Sequence, residues 1–116
     1  PYAFTKSKNL ELLENLKKIG LKELRLYHLG GAVMNGISTI DLAPALYYKF
    51  PKKTLGGGSL WDFAASSVIQ SEAGGINSDY HNNPLDLNRP DSTFMNHKGV
   101  IYASSEKLLD LIPKVN

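Results

Sequence analysis

Ser59-Leu60-Trp61-Asp62-Phe63-Ala64-Ala65-Ser66-Ser67-Val68-Ile69-Gln70-Ser71-Glu72-Ala73-Gly74-Gly75 has the clearest periodicity in the chain. Leu60, Trp61, Ala64, Ala65, Val68, Ile69 and Ala73 recur at steps of three and four residues, which places them on one face of an α-helix. Gly74-Gly75 stops that helix, because glycine readily takes the conformation that closes a helix end. Upstream, Ala45–Phe50 is rich in aromatic residues and reads as a strand; downstream, Ile76–Asp79 reads as a shorter one. This alternation of strand and helix predicts an α/β layered domain with a mixed, largely parallel sheet flanked by helices.

The remaining elements extend the alternation in both directions. Residues 8–19 form an amphipathic pattern through Leu10, Leu12, Leu13, Leu16 and Ile19, with Ser7 as the expected N-cap and Gly20 as the closing glycine. Leu24 and Leu26 alternate with Arg25 and Tyr27, which predicts a short strand over Glu23–His28. A Gly30-Gly31 turn leads into a buried helix from Ala32 to about Ile40, where Gly36 marks a close-packing point and Pro44 follows the end. Pro51–Gly58 is a loop. Gly99–Ala103 is a buried strand, and Ser104-Ser105-Glu106 opens a last helix over Lys107–Ile112.

Composition narrows the possible functions. The 116 residues are 42% hydrophobic and 21% charged, which suits one globular domain. A domain of this size buries roughly two-thirds of its unfolded surface, so a docked partner would add substantially to its stability. No run approaches the roughly 18–20 apolar residues of a membrane span, and no secretory leader pattern opens the chain, so a cytoplasmic location is expected. The absence of cysteine excludes disulfides and thiolate chemistry and leaves oxygen and imidazole as metal ligands. A formal charge of +2 without a basic stripe argues against a nucleic-acid polymer as partner. With Pro1 first and no initiator Met, the chain is expected to be a processed product or a fragment.

Few residues are candidates for chemistry. Ser59 and Asp62 have the spacing of a capping box at a helix start, a common structural device. The same geometry would hold a carboxylate rigidly enough to offer an oxygen to a hard divalent cation, so both roles stay open. Gly30, Gly31 and Ala32 precede a helix and could present backbone N–H groups to a phosphate, or could simply make a tight turn. Lys49, Lys52 and Lys53 could draw an anionic substrate to a cleft mouth. His28, His81 and His97 have no ligand spacing, and neither a Gly-x-Ser-x-Gly elbow nor a Walker sequence occurs.

Trp61-Asp62-Phe63-Ala64-Ala65 followed by Glu72-Ala73-Gly74-Gly75 resembles the C-terminal signature of the inositol monophosphatase superfamily. Ile76-Asn77-Ser78-Asp79 and Asn83-Pro84-Leu85 continue the likeness, as do Leu29-Gly30-Gly31-Ala32-Val33 and Tyr47-Tyr48 upstream, over roughly residues 28–104. The resemblance implies that residues 1–116 are a single C-terminal subdomain of an αβαβα sandwich. It implies a magnesium-dependent phosphatase in which Asp62 is a catalytic metal ligand and Gly30, Gly31, Ala32 and Lys49 lie on the substrate side. The family's Glu-Glu pair and its Asp-Pro-(Ile/Leu)-Asp-Gly-Thr motif do not occur here. The expected partners are therefore the N-terminal half of the same enzyme, a small phosphorylated metabolite and, as in many family members, a second copy. On its own the chain is expected to be inactive.

Departures from the pattern bear on the substrate. Gly31 replaces the family's Ser or Thr, and Lys49 follows the aromatic pair near where inositol phosphatases carry a sugar-binding Glu. Phe94-Met95-Asn96 with Gly99-Val100 resembles a segment of 3'(2'),5'-bisphosphate nucleotidases, whose doubly charged substrates suit lysines at the rim. A bisphosphate nucleotide is the expected substrate; an inositol or sugar phosphate is the alternative, and a noncatalytic anion- or protein-binding fragment of the same fold is a third.

Overall fold

The computed structural model describes residues 6–20, 27, 30–56 and 58–112. In chain order the elements are α1 (Lys6–Lys18), α2 (Gly31–Asp41), β1 (Leu46–Lys49), α3 (Leu60–Glu72), β2 (Ile76–Ser78), β3 (Val100–Ala103) and α4 (Glu106–Leu109). Each falls where hydrophobic period and turn residues place it. Most boundaries shift by a residue or two, and two shifts matter: α1 begins before Ser7, which is therefore inside the helix, and α4 ends at Leu109, with turn hydrogen bonds carrying the chain to Ile112. The strand expected over Glu23–His28 lies, apart from Tyr27, outside the described residues.

The sheet corrects the expected arrangement. Its order is β1-β3-β2, and β3 runs antiparallel to both neighbours, pairing Leu46–Lys49 with Ala103–Val100 on one side and Ile76–Ser78 with Ala103–Ile101 on the other. The β1–α3–β2 crossover does return β2 in the direction of β1, as such a unit requires. The last strand then inserts between them, so no parallel pair forms among the described residues. The fold is mixed α/β with a small antiparallel sheet, and not a largely parallel one.

β3 is buried along its whole length, and its alternation divides the interior into two layers. Ile101 and Ala103 face Leu12 and Leu16 of α1 together with Leu108, Leu109 and Ile112. Val100 and Tyr102 face Phe63 of α3, with Ala32, Tyr47 and Leu60 packed around them. The Tyr102 ring lies against α2 so closely that a Cβ at Gly36 would stand 2.7 Å from it, which is why glycine occupies that position.

α3 has the rotation opposite to the one its apolar stripe suggests. Phe63, Ser66, Ser67 and Gln70 are its buried residues, while Trp61, Val68 and Ile69 are exposed. Hydrogen bonds satisfy the buried polar side. Ser66 Oγ and the Tyr102 hydroxyl are 2.7 Å apart, and that hydroxyl also donates to the Phe63 carbonyl at 3.1 Å. Gln70 Nε2 donates to the Ala103 carbonyl at 2.7 Å, and Gln70 Oε1 accepts from Asn77 Nδ2 at 3.0 Å. Replacing Gln70 by Leu would remove the buried donor to the Ala103 carbonyl, while Asn77 Nδ2 would keep Ser67 O and Ser71 Oγ, so Gln70→Leu is expected to lower stability by about 1–2 kcal/mol in urea unfolding. Unchanged stability would show that the polar side of α3 does not anchor it.

Candidate metal and phosphate site

Asp62 is placed by the chain on both sides of it. Residues 92–96 clamp the loop leading into α3: Met95 N donates to Gly58 O, Leu60 N to Thr93 O and Lys52 N to Asn96 O, at 2.8–3.0 Å. Ser59 forms an isolated bridge with Phe94, and α3 starts at the next residue. Asp62 Oδ2 then accepts the Ser59 backbone N–H at 2.8 Å. Ser59 faces the Asp62 amide in the reciprocal arm of the capping box, with looser geometry than a full hydrogen bond. One carboxylate oxygen is thus used in capping, while a carboxylate has acceptor capacity on its second oxygen as well.

Lys49 reaches the same region through strand alternation. Two residues after Tyr47, it shares Tyr47's side of the sheet, the side covered by α2 and α3. Burial lowers the Lys49 ammonium below the ordinary lysine value, nearby Lys52 lowers it further, and Asp62 opposes both. Burial likewise raises the Tyr47 phenol, with smaller contributions from Tyr102 and Asp62. Lys49, Lys52, Tyr47 and Asp62 therefore form one electrostatic neighbourhood. Lys53 is exposed on the same loop.

Gly30 is the N-cap of α2 and caps it with no side chain; Gly31 follows at φ +79°, a conformation that favours glycine over Ser or Thr. Nothing lies within 4 Å of a Cβ built at either position. Ala32, one residue on, packs against the Phe63–Tyr102 cluster, as does Leu60 at the start of α3. The first turns of α2 and α3 consequently meet at one apolar cluster, and the positive ends of two helix dipoles lie on the side of the sheet that carries Lys49.

Among the described residues no group of three or more His, Asp or Glu side chains could hold a metal ion, so these residues fit one ligand of a magnesium site and not the site itself. His28 lies outside the described residues, and His81 is exposed. His97 lies between Arg89 Nη1 at 3.2 Å and Asp86 Oδ2 at 3.4 Å. A groove of about 410 Å³ runs along β2 and α4, lined by residues including Asn77, Asn83, Glu106 and Asp110; none of the expected site residues lines it.

Two residues have roles that the sequence pattern did not show. Asn96, in the Phe94-Met95-Asn96 segment singled out above, is buried and fully engaged: its Nδ2 donates to the Lys52 carbonyl at 2.9 Å and its Oδ1 accepts from Arg89 at 3.0 Å. Asp79 is buried, and its Oδ1 accepts the His81 and Asn83 amides at 2.8 and 3.0 Å, while its Oδ2 has no hydrogen-bond partner among the described residues. An Asp four residues before Asn83 in a turn was the available signal for this Asx-type turn.

No protein-family model matches the chain, and the curated proteins contain no match to it.

The titrating groups predict an alkaline transition. Burial is the largest cause raising the phenols of Tyr47, Tyr48, Tyr80 and Tyr102. Stability from a raised acid is complete below its unfolded value, about 10 for tyrosine, and is lost as pH rises through the native value. Lys49 acts in the opposite direction, since its lowered native value makes folding relatively easier as pH rises toward the unfolded lysine value. Four phenols outweigh one ammonium. Tyrosinate absorbance is expected to rise for these four only together with loss of circular dichroism above about pH 10; their independent ionisation in a folded chain would contradict their burial.

Proposed function

We propose that the chain forms one wall of a magnesium-dependent phosphomonoesterase of the inositol monophosphatase type, acting in the cytoplasm on a small phosphorylated metabolite. The observation that carries this reading is the position of Asp62. It lies in the Trp-Asp segment that the family resemblance singles out, and it is fixed by its own helix start beside Lys49 and the converging first turns of α2 and α3. A magnesium ion supplies charge neutralisation at a phosphate. The described residues offer it one oxygen, so no hydrolytic step is derived from them.

What these residues do is bind and orient. The Gly30-Gly31-Ala32 turn offers uncapped first-turn amides to phosphate oxygens. Lys49, a cation that is costly to keep buried without an anion, gains when an anionic substrate arrives. With Lys52 close by, that charge favours a doubly phosphorylated substrate, a 3'(2'),5'-bisphosphate nucleotide, over an inositol or sugar monophosphate. The use of one Asp62 oxygen in capping is the observation that favours the rival reading, a noncatalytic module that binds anions or protein without hydrolysis.

The test is phosphate release with magnesium from 3'-phosphoadenosine 5'-phosphate and from inositol 1-phosphate. It is measured on a polypeptide joining residues 1–116 to the segment that carries the remaining carboxylates. The nucleotide is expected to be preferred, and Asp62→Asn to lower turnover by at least about a hundredfold with unchanged circular dichroism. Unchanged turnover in that variant would leave Asp62 as a helix cap only, and preference for the inositol ester would overturn the role given to Lys49.

A further inference from the structure

Lys52 is held in place by one residue of another loop. Its amide donates to the Asn96 carbonyl at 2.8 Å, and its own carbonyl accepts from Asn96 Nδ2 at 2.9 Å, so the main chain and side chain of Asn96 together fix this lysine's backbone. An asparagine amide has nearly the same shape when turned over, and only its oxygen end can face a guanidinium, which has donors alone. Arg89 Nη1 stands 3.0 Å from Asn96 Oδ1 and thereby directs Nδ2 at Lys52. Arg89 is fixed in turn: Nη1 also donates to the Phe94 carbonyl at 2.8 Å, and Nε and Nη2 hold the two oxygens of Asp91 at 2.8 and 3.2 Å. The Arg89 side chain is 12% exposed and Asn96 6%, so water competes little for these bonds.

We infer that Arg89 and Asn96 are positioning residues that make the site selective for a second phosphate by presenting the Lys52 ammonium, without themselves touching the substrate. The inference rests on the anion-binding part of the function proposed above and not on hydrolysis. Lys52 lies at the start of a loop that runs into Gly56-Gly57-Gly58, and glycine loses more conformational freedom on ordering than any other residue. A cation on such a loop is scattered unless its backbone is anchored. The anchor is shared with Asp62, because the segment carrying Asn96 also accepts Leu60 N at Thr93 O and gives Met95 N to Gly58 O. The clasp therefore sets the spacing between Lys52 and the start of α3. Lys52 stands near enough to Lys49 to lower its ammonium, so the two cations face one region and two phosphates relieve their repulsion better than one. A role in folding alone would give Arg89 and Asn96 no influence on the choice between one phosphate and two.

Calorimetric titration of the 116-residue chain with 3'-phosphoadenosine 5'-phosphate and with adenosine 5'-monophosphate tests it, since the two ligands differ by one phosphate. The unaltered chain is expected to bind the bisphosphate at least about tenfold more tightly. Asn96→Leu adds no charge and removes the donor to the Lys52 carbonyl; it is expected to abolish most of that preference while changing monophosphate affinity less than about twofold. Arg89→Lys keeps the charge but not the fork that spans Asp91 and Asn96, and is expected to lose part of the preference. Lys52→Gln removes the preference directly, and in that background Asn96→Leu should have no further effect on it, because residues acting through one another are not additive. Should Asn96→Leu fail to fold, Arg89→Lys and Lys52→Gln, alone and combined, decide in the same way. A chain that binds neither ligand or both alike, equal losses for the two ligands in Asn96→Leu, or additive losses of preference in the double variant would each overturn the inference. Preference for the bisphosphate that depends on Asn96, without phosphate release by the joined polypeptide, would uphold it and end the phosphatase reading alone.

Discussion

The hydrogen bonds from the buried side of α3 to the sheet fix much of the remaining structure. A buried amide or hydroxyl left without a partner is costly, so Gln70 and Ser66 can face the sheet only where Ala103, Asn77 and Tyr102 meet them. That requirement sets the rotation of α3 about its axis. With Gln70 inward, Val68 and Ile69 must point outward, and Asp62 falls on the flank of the helix and not in its apolar interior. Tyr102 completes the arrangement by filling the space between α3 and Gly36 of α2. One central strand thereby positions both helices whose first turns flank the candidate site.

Element positions were legible in the sequence because they depend on local periodicity and turn residues. Gly20 closes α1 at φ +86°, Ser59 opens α3, and Val100–Ala103 is buried throughout, as its uninterrupted apolar run indicates. Strand order was not legible, because it depends on contacts between residues distant in the chain: Leu46 pairs with Ala103, and nothing near either residue specifies the other. The rotation of α3 misled for a different reason. Its apolar stripe was read correctly as a stripe, but the polar side chains of Ser66 and Gln70, and not the stripe, find their partners on the sheet.

The candidate site divides in the same way. The capping role of Asp62 followed from its three-residue spacing to Ser59, and the side of the sheet taken by Lys49 followed from its two-residue spacing to Tyr47. The work of Asn96 did not follow, since its partners Lys52 and Arg89 are known only once the two loops are seen together. The unpaired oxygen of Asp79 is equally a property of the folded chain.

The orientation of α3 is the claim on which both the site and its surface rest, and cysteine accessibility measures it most directly, because the natural chain has no cysteine of its own. Ser67→Cys and Ala64→Cys lie one turn of helix apart across the boundary between buried and open surface, Ser67 being 6% exposed and Ala64 open to solvent. With a thiol reagent, the Ala64→Cys thiol should react at the rate of a free thiol and the Ser67→Cys thiol only as fast as the chain unfolds. Rapid labelling of Ser67→Cys with protection of Ala64→Cys would contradict the account and turn the apolar stripe back toward the sheet.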